Sequence, residues 1–233
     1  MGTITVHEFI TLDGVIDTPS WTFDYPFDPK MGEAIAGIMG QAILLGRNTY
    51  EMFAPVWSTR TAEEDPGAPF MNDTPKYVVS STLASADWKN SSVLGPYSAS
   101  AIRELKDRVD GTIYVSGSGT LVRALLADGL VDTLHLFVFP LALGSGQRLF
   151  ADGATAKLAL AGCEAYDSGV LHLTYTPATR PTVRHAAGRG AGHTAIARLR
   201  RPGPRRAQRN AAAAPGGVAA PGWTGGSPVP AGR

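Results

Sequence analysis

A break in composition after Pro177 limits what this chain can fold into more than any other feature. All 20 acidic residues lie between Glu8 and Asp167, and eleven of the 21 basic residues share that stretch, so residues 1–177 carry a net −9. Residues 178–233 hold ten arginines, no lysine and no acid, in a background of Ala, Gly and Pro without apolar periodicity. Such a segment cannot bury enough surface to offset the entropy of ordering. The expectation is one folded domain over 1–177 and a disordered Ala/Arg/Gly/Pro-rich tail over 178–233. A basic arm for nucleic acid is the sharper reading of the tail. Scattered arginines without an aromatic stacking platform speak against it, and an extended reading frame through GC-rich codons gives the same composition.

Several classes are excluded early. Cys163 is the single cysteine, so neither an internal disulfide nor a cysteine-cluster metal site can form, and a cytoplasmic protein is expected. Residues 1–8 show no basic stretch followed by an apolar one. No apolar run approaches the roughly 18 residues of a membrane span. The longest, Leu134 to Leu143, is broken by His135 and Pro140. His7, His135 and His172 fall on expected strands without ligand spacing, so no metal is expected.

Within 1–177, short apolar runs alternate with helical spacing. Strands are expected over 3–12, 42–45, 77–80, 112–116 and 131–139, with a closing antiparallel pair over 157–165 and 170–176. Helices are expected over 30–40, from Asn48, over 100–109 and over 120–127. Segments 21–29 and 60–73 read as loops. Alternation of this kind implies an α/β sheet covered on both faces, with the late strands antiparallel.

Three expected strand ends carry groups that suit a phosphate. Gly46-Arg47-Asn48-Thr49 is a glycine turn opening a helix, where backbone N–H groups attract phosphate oxygens and Arg47 and Thr49 add a charge and a hydroxyl. Ser116-Gly117-Ser118-Gly119-Thr120-Leu121 is built the same way. It is not the full dinucleotide fingerprint, because Val122 stands in place of the third glycine. Ser80-Ser81-Thr82 offers hydroxyls after a third strand. Each alone suits an ordinary cap or turn, but open α/β sheets bind ligands at the carboxyl ends of their strands. Their convergence points to a dinucleotide or another phosphorylated ligand. Asp13, beside Gly14, is a candidate for proton work, or else a turn aspartate bonding its own backbone. Trp21 and Phe23, set in an expected loop, are expected to line an aromatic substrate pocket, the alternative being that they fill the core.

Taken in order, Thr11-Leu12-Asp13-Gly14-Val15-Ile16, Leu45 to Glu51, Lys76 to Leu83, Val115 to Leu121 and Pro140 to Gly146 resemble the dihydrofolate-reductase-like superfamily. The nearest group is the reductase of bacterial riboflavin biosynthesis, the RibD C-terminal domain. The resemblance runs from about Thr3 to Tyr175. It implies a mixed, mostly parallel sheet flanked by helices, with an antiparallel C-terminal strand pair and NADPH lying across the strand ends. By this resemblance Arg47 and Ser81, with Ser80 nearby, hold the adenosine 2′-phosphate. Thr49 and the turn Gly117, Ser118, Gly119, Thr120, Leu121 hold the pyrophosphate, Gly46 is among the cofactor-binding residues, and Val15, Ile16 and Gly117 border the nicotinamide. The implied reaction is hydride transfer to a C=N or C=O carbon, the cofactor carrying the hard chemistry.

The leading expectation is a reductase acting on 5-amino-6-(5-phosphoribosylamino)uracil. A folate-type reductase acting on a pterin, and a dinucleotide-binding protein without turnover, are the alternatives. The chain departs from riboflavin reductases after its first strand, with Trp21-Thr22-Phe23-Asp24 where they carry Trp-Ile-Thr/Ser-Gly and an arginine. No arginine occurs before Arg47. Expected partners are a small-molecule substrate and, from the superfamily, a second copy in a homodimer, with neither nucleic acid nor membrane.

Overall fold

The computed structural model describes residues 1–150, 153 and 155–178. The expected tail, beyond Ala178, lies outside the described residues. In chain order the elements are β1 (Thr3–Thr11), a 3-10 turn (Pro19–Asp24), α1 (Pro29–Ile38), β2 (Ala42–Gly46), α2 (Arg47–Trp57), α3 (Ala68–Asp73), β3 (Lys76–Val79), β4 (Ser91–Gly95), α4 (Ala99–Arg108), β5 (Thr112–Ser116), α5 (Gly119–Ala127), β6 (Thr133–Phe139), β7 (Leu158–Ala165) and β8 (Leu171–Pro177).

One eight-stranded sheet organises them, in the order β4-β3-β2-β5-β1-β6-β8-β7. Every neighbouring pair from β4 through β6 is parallel. β8 then runs antiparallel to β6, and β7 antiparallel to β8. The expected mixed α/β sheet with a closing antiparallel pair is what forms.

Alternate residues of a strand point to opposite faces. Ile4, Val6 and Ile10 of β1, with Ile113 and Val115 of β5, pack against Ile102 and Leu105 of α4 and Leu121, Val122 and Leu125 of α5. On the opposite face Ile43 and Leu45 of β2 and Tyr114 of β5 meet Tyr50 of α2 and Met71 of α3. Phe137 and Phe139 of β6 join Met31 of α1 and Trp21 there. β1, central and buried on both faces, therefore carries side chains into two cores.

Two elements lie outside the sequence expectation. α3 forms inside the stretch read as a loop. Its last carbonyls are tied by Lys76, whose fully buried ammonium donates to the carbonyls of Met71, Asn72 and Thr74 at 2.8, 3.0 and 2.8 Å. β4 forms at Ser91–Gly95 as an edge strand pairing only with β3. Edge strands are covered on fewer sides and show no apolar run, so hydropathy does not mark it. Among the described residues no helix is long and apolar enough to cross a membrane.

Candidate functional site

Because β4, β3, β2, β5 and β1 are parallel, their carboxyl ends share one edge of the sheet. A cleft of about 670 Å³ runs along that edge. It is lined in turn by Pro96 and Tyr97 beyond β4, Ser80–Thr82 beyond β3, Gly46–Thr49 beyond β2, Gly117–Leu121 beyond β5, and Glu8 and Phe9 on β1. With strands about 4.8 Å apart, β3 and β1 lie roughly 14 Å from each other.

The middle of the cleft is built from two helix starts. β2 runs straight into α2 with Gly46 as N-cap, and β5 turns into α5 with Ser118 as N-cap. Neither cap side chain bonds the first turn, so these N–H groups face the cleft in need of acceptors. Gly117 and Ser118 both take left-handed backbone, φ 70° and 69°, which costs a non-glycine residue about 1–2 kcal/mol. Ser118 gains by it. Its Oγ accepts from the Gly46 N–H at 2.8 Å and bonds the Thr49 hydroxyl at 2.6 Å, knitting the two turns together. A Cβ on Gly46 would sit 2.6 Å from that same oxygen. Ser118 and Thr49 thus position the backbone of the site. Ser118→Ala is expected to cost about 1–2 kcal/mol for the unpaired Gly46 N–H; urea unfolding of both proteins checks it, and unchanged stability would remove this positioning role.

Toward β3, Ser80 is buried and its Oγ accepts from the N–H groups of Thr82 and Leu83 at 3.2 and 2.9 Å. Ser80 shapes its turn, while Ser81 is exposed. Arg47 is half exposed and lies 3.9 Å from Glu51 one helical turn on. An exposed pair of this kind holds the guanidinium only weakly. At the β1 end Ile16 lines the cleft, with Asp17, Thr18 and Pro19 beside it and Gln147, whose carbonyl accepts from the Ile16 N–H at 2.9 Å.

Glu8 is the residue that sequence reasoning missed. It is 4% exposed, and its Oε1 is buried without a hydrogen-bond partner among the described residues. Burial pushes its carboxyl up to about 8. The available signal was a lone acid, next to His7, inside a strand whose other residues are apolar or β-branched, a local conflict of the kind that marks functional positions.

Four expected site residues sit elsewhere. Asp13 is not in the cleft lining. Its carboxylate accepts from the Thr11 hydroxyl at 2.5 Å and from the N–H groups of Leu143 and Gly144 at 3.2 and 2.7 Å. The Thr11 and Gly144 bonds hold it below the usual carboxylate range, so the geometry makes it a clamp between two loops. Val15 is fully buried and bridges to Arg148 behind the cleft. The placement expected for Trp21 and Phe23 needs correction. The 3-10 turn rotates Trp21 into the core, edge-on to Phe139 with Nε1 donating to the Asp17 carbonyl, and leaves Phe23 exposed. Neither lines the cleft.

A family model, the RibD C-terminal domain, matches residues 2–172. The chain belongs to this family. A relative within reach by sequence is the uncharacterized protein YyaP of Bacillus subtilis, 27% identical over 177 residues, which are 71% of this chain and 90% of that protein. Among solved structures, a putative riboflavin biosynthesis protein from Shewanella is similar with a TM-score of 0.62 at 20% identity, covering 75% of this chain and 98% of that one. Dihydrofolate reductase from Enterococcus faecalis, complexed with NADP(H), is similar with a TM-score of 0.51 at 16% identity, covering 76% and 97%. The two structures share the fold, so this RibD C-terminal domain has dihydrofolate-reductase-like architecture.

Proposed function

We propose that this protein is an NADPH-dependent reductase of a small heterocyclic substrate. One observation carries the reading: a single cleft joins two uncapped helix starts and a loosely held arginine at one end to a buried carboxyl at the other. The donor set fits a dinucleotide. The N–H groups opening α2 and α5, with Thr49 beside them, suit a pyrophosphate. Arg47 and Ser81 suit the additional phosphate that distinguishes NADPH from NADH. Ile16, Gly117 and Phe9 offer an apolar wall to the nicotinamide. When bound, NADPH supplies the hydride.

The proposed substrate is the pyrimidine of riboflavin synthesis, 5-amino-6-(5-phosphoribosylamino)uracil, in keeping with family membership. Among the described residues lining the cleft, Arg47 is the one cation, and it stands by β2 rather than at the Glu8 end. Recognition therefore falls on the ring, and removing the substrate phosphate should change KM little.

Cofactor choice tests the reading. Hydrogen bonds to charged groups contribute about 1.5–3 kcal/mol, and 1.4 kcal/mol is tenfold in binding. Wild type should prefer NADPH over NADH by about tenfold or more. Arg47→Ala should remove most of that preference by weakening NADPH alone, and added salt should narrow it, since an exposed charge is screened. Calorimetric titration of both cofactors into both proteins decides. Equal wild-type affinities, or an equal loss for both cofactors, would reduce Arg47 to a helix-surface residue.

A further inference from the structure

We propose that Glu8, buried at the β1 end of the cleft with an unpartnered carboxyl oxygen, is the proton donor to the substrate; this rests on the reductase reading. Glu8 pairs in register with Leu136 of β6 and lies between the apolar Val6 and Ile10 on its own strand face. Among the described residues no lysine, arginine or histidine pairs with it, and Oε1 has no hydrogen-bond partner. A buried polar atom without a partner is costly. Keeping it in a strand that otherwise fills two cores makes sense when a ligand supplies the partner. Since Glu8 lines the cleft, that ligand reaches it from the cleft side.

The surroundings favour the neutral form. Burial alone raises the carboxyl to about 8. Asp17 of the following loop and Arg47 of α2 line the same cleft, and Tyr114 of β5, on the other face of the sheet, has its own ionisation raised in part by Glu8. Glu8 is thus an acid with its proton still on at neutral pH. Asp13, five residues on, is held ionised by its three donors and has no proton to give.

The step balances with groups already named. As the substrate carbon accepts hydride from bound NADPH, a C–H bond forms and the π pair of its C=N or C=O bond moves to the nitrogen or oxygen. Glu8 breaks its O–H bond and delivers the proton to that atom. The products are an amine or alcohol, oxidised nicotinamide and the Glu8 carboxylate, which regains a proton from solvent through the open cleft. The chemistry requires a substrate with an electron-poor C=N or C=O bond whose heteroatom reaches Glu8, next to a ring flat enough to lie on the nicotinamide.

Glu8→Gln keeps the shape and removes the acid. Carboxyl carbon NMR of the ligand-free protein, with the Glu8 signal assigned by its absence in the variant, should titrate with a midpoint near 8. A midpoint in the ordinary range near 4.5 overturns the proposal before any substrate is added. NADPH should bind both proteins within about twofold, because Glu8 does not hold the phosphates. In NADPH oxidation with 5-amino-6-(5-phosphoribosylamino)uracil or dihydrofolate, the variant should lose about a hundredfold or more in kcat. KM should change little, and the alkaline limb of the wild-type pH profile should vanish. Wild type that reduces either substrate while the variant matches it overturns the donor role alone. Wild type that binds no NADPH, or binds it and reduces neither substrate, overturns the reductase reading and the donor role together.

Discussion

At pH 8 the Glu8→Gln variant should melt roughly 10 °C above the wild type, and below pH 4.5 the two should melt together. The folded carboxyl titrates at about 8 against 4.5 when free in solution. A raised acid favours the folded state fully below the lower value and loses that contribution as pH rises through the upper one. Each pH unit between them is worth about 1.4 kcal/mol, so ionisation costs the fold on the order of 4 kcal/mol by pH 8. Glutamine carries no such cost. A domain of this size shifts by about 2–4 °C per kcal/mol. Thermal scans of both proteins at the two pH values measure it. A gap that is the same at both would mean that burial does not act on the Glu8 charge. Such a residue lowers stability where the protein works, the usual mark of a site kept for function.

The parts of the site legible in the sequence are those encoded locally. A glycine between an apolar run and a helical pattern marks a strand-to-helix turn, and Gly46-Arg47 and Gly117-Ser118-Gly119 were visible for that reason. Their adjacency was not, because it depends on β5 entering the sheet between β2 and β1. Ser118 then reaches Gly46, 72 residues away, and no local signal announces that its hydroxyl faces another turn rather than a ligand.

Asp13 and Glu8 show the same limit from opposite sides. Asp13 stands in an Asp-Gly turn at a strand end, where a catalytic carboxylate could sit. Its partners at Leu143 and Gly144 lie 130 and 131 residues further along the chain. Glu8 sits in mid-strand, where hydropathy reads an interruption, and only the burial of β1 on both faces makes that interruption an acid at the end of a cleft. Trp21 departs from the expected pocket for a local reason. A proline-punctuated aromatic stretch reads as a loop, yet Pro19 opens a 3-10 turn that rotates the indole inward.

Acid should unfold this protein earlier than its carboxylates alone would require, through three histidines on the β1, β6 and β8 faces opposite Glu8. His7 is buried with Nδ1 2.9 Å from the Tyr114 hydroxyl and, among the described residues, Nε2 without a partner. His135 and His172 share a 2.9 Å hydrogen bond, and the His172 ring stacks on Phe137 at 4.3 Å. Burial first, then the neighbouring imidazoles, lowers His7 from 6.5 to about 3 and His135 to about 4. Burial lowers His172 as well, against Glu164 of β7, which raises it. Lowered histidines stabilise the fold above 6.5 and lose that contribution as pH falls toward their folded values. Glu8 works the other way over the same range. Between pH 6.5 and 4.5 the unfolded chain takes up two to three protons on these histidines, while Glu8, already protonated in the fold, takes up one only in the unfolded chain below that range. With Glu8 favouring the fold as pH drops and the histidines opposing it, the net slope is about one to two proton equivalents, or roughly 1.4–3 kcal/mol per pH unit. Stability should therefore peak near pH 6.5 and fall on both sides, with a drop of roughly 5–15 °C in melting temperature by pH 5. His7→Gln should flatten the acid side by about 1.4 kcal/mol per pH unit and leave the alkaline side, which belongs to Glu8, as it was. Melting curves from pH 4.5 to 8.5 on wild type and both variants separate the two slopes. An acid side that His7→Gln leaves equally steep would mean that His7 is not the buried neutral imidazole described above.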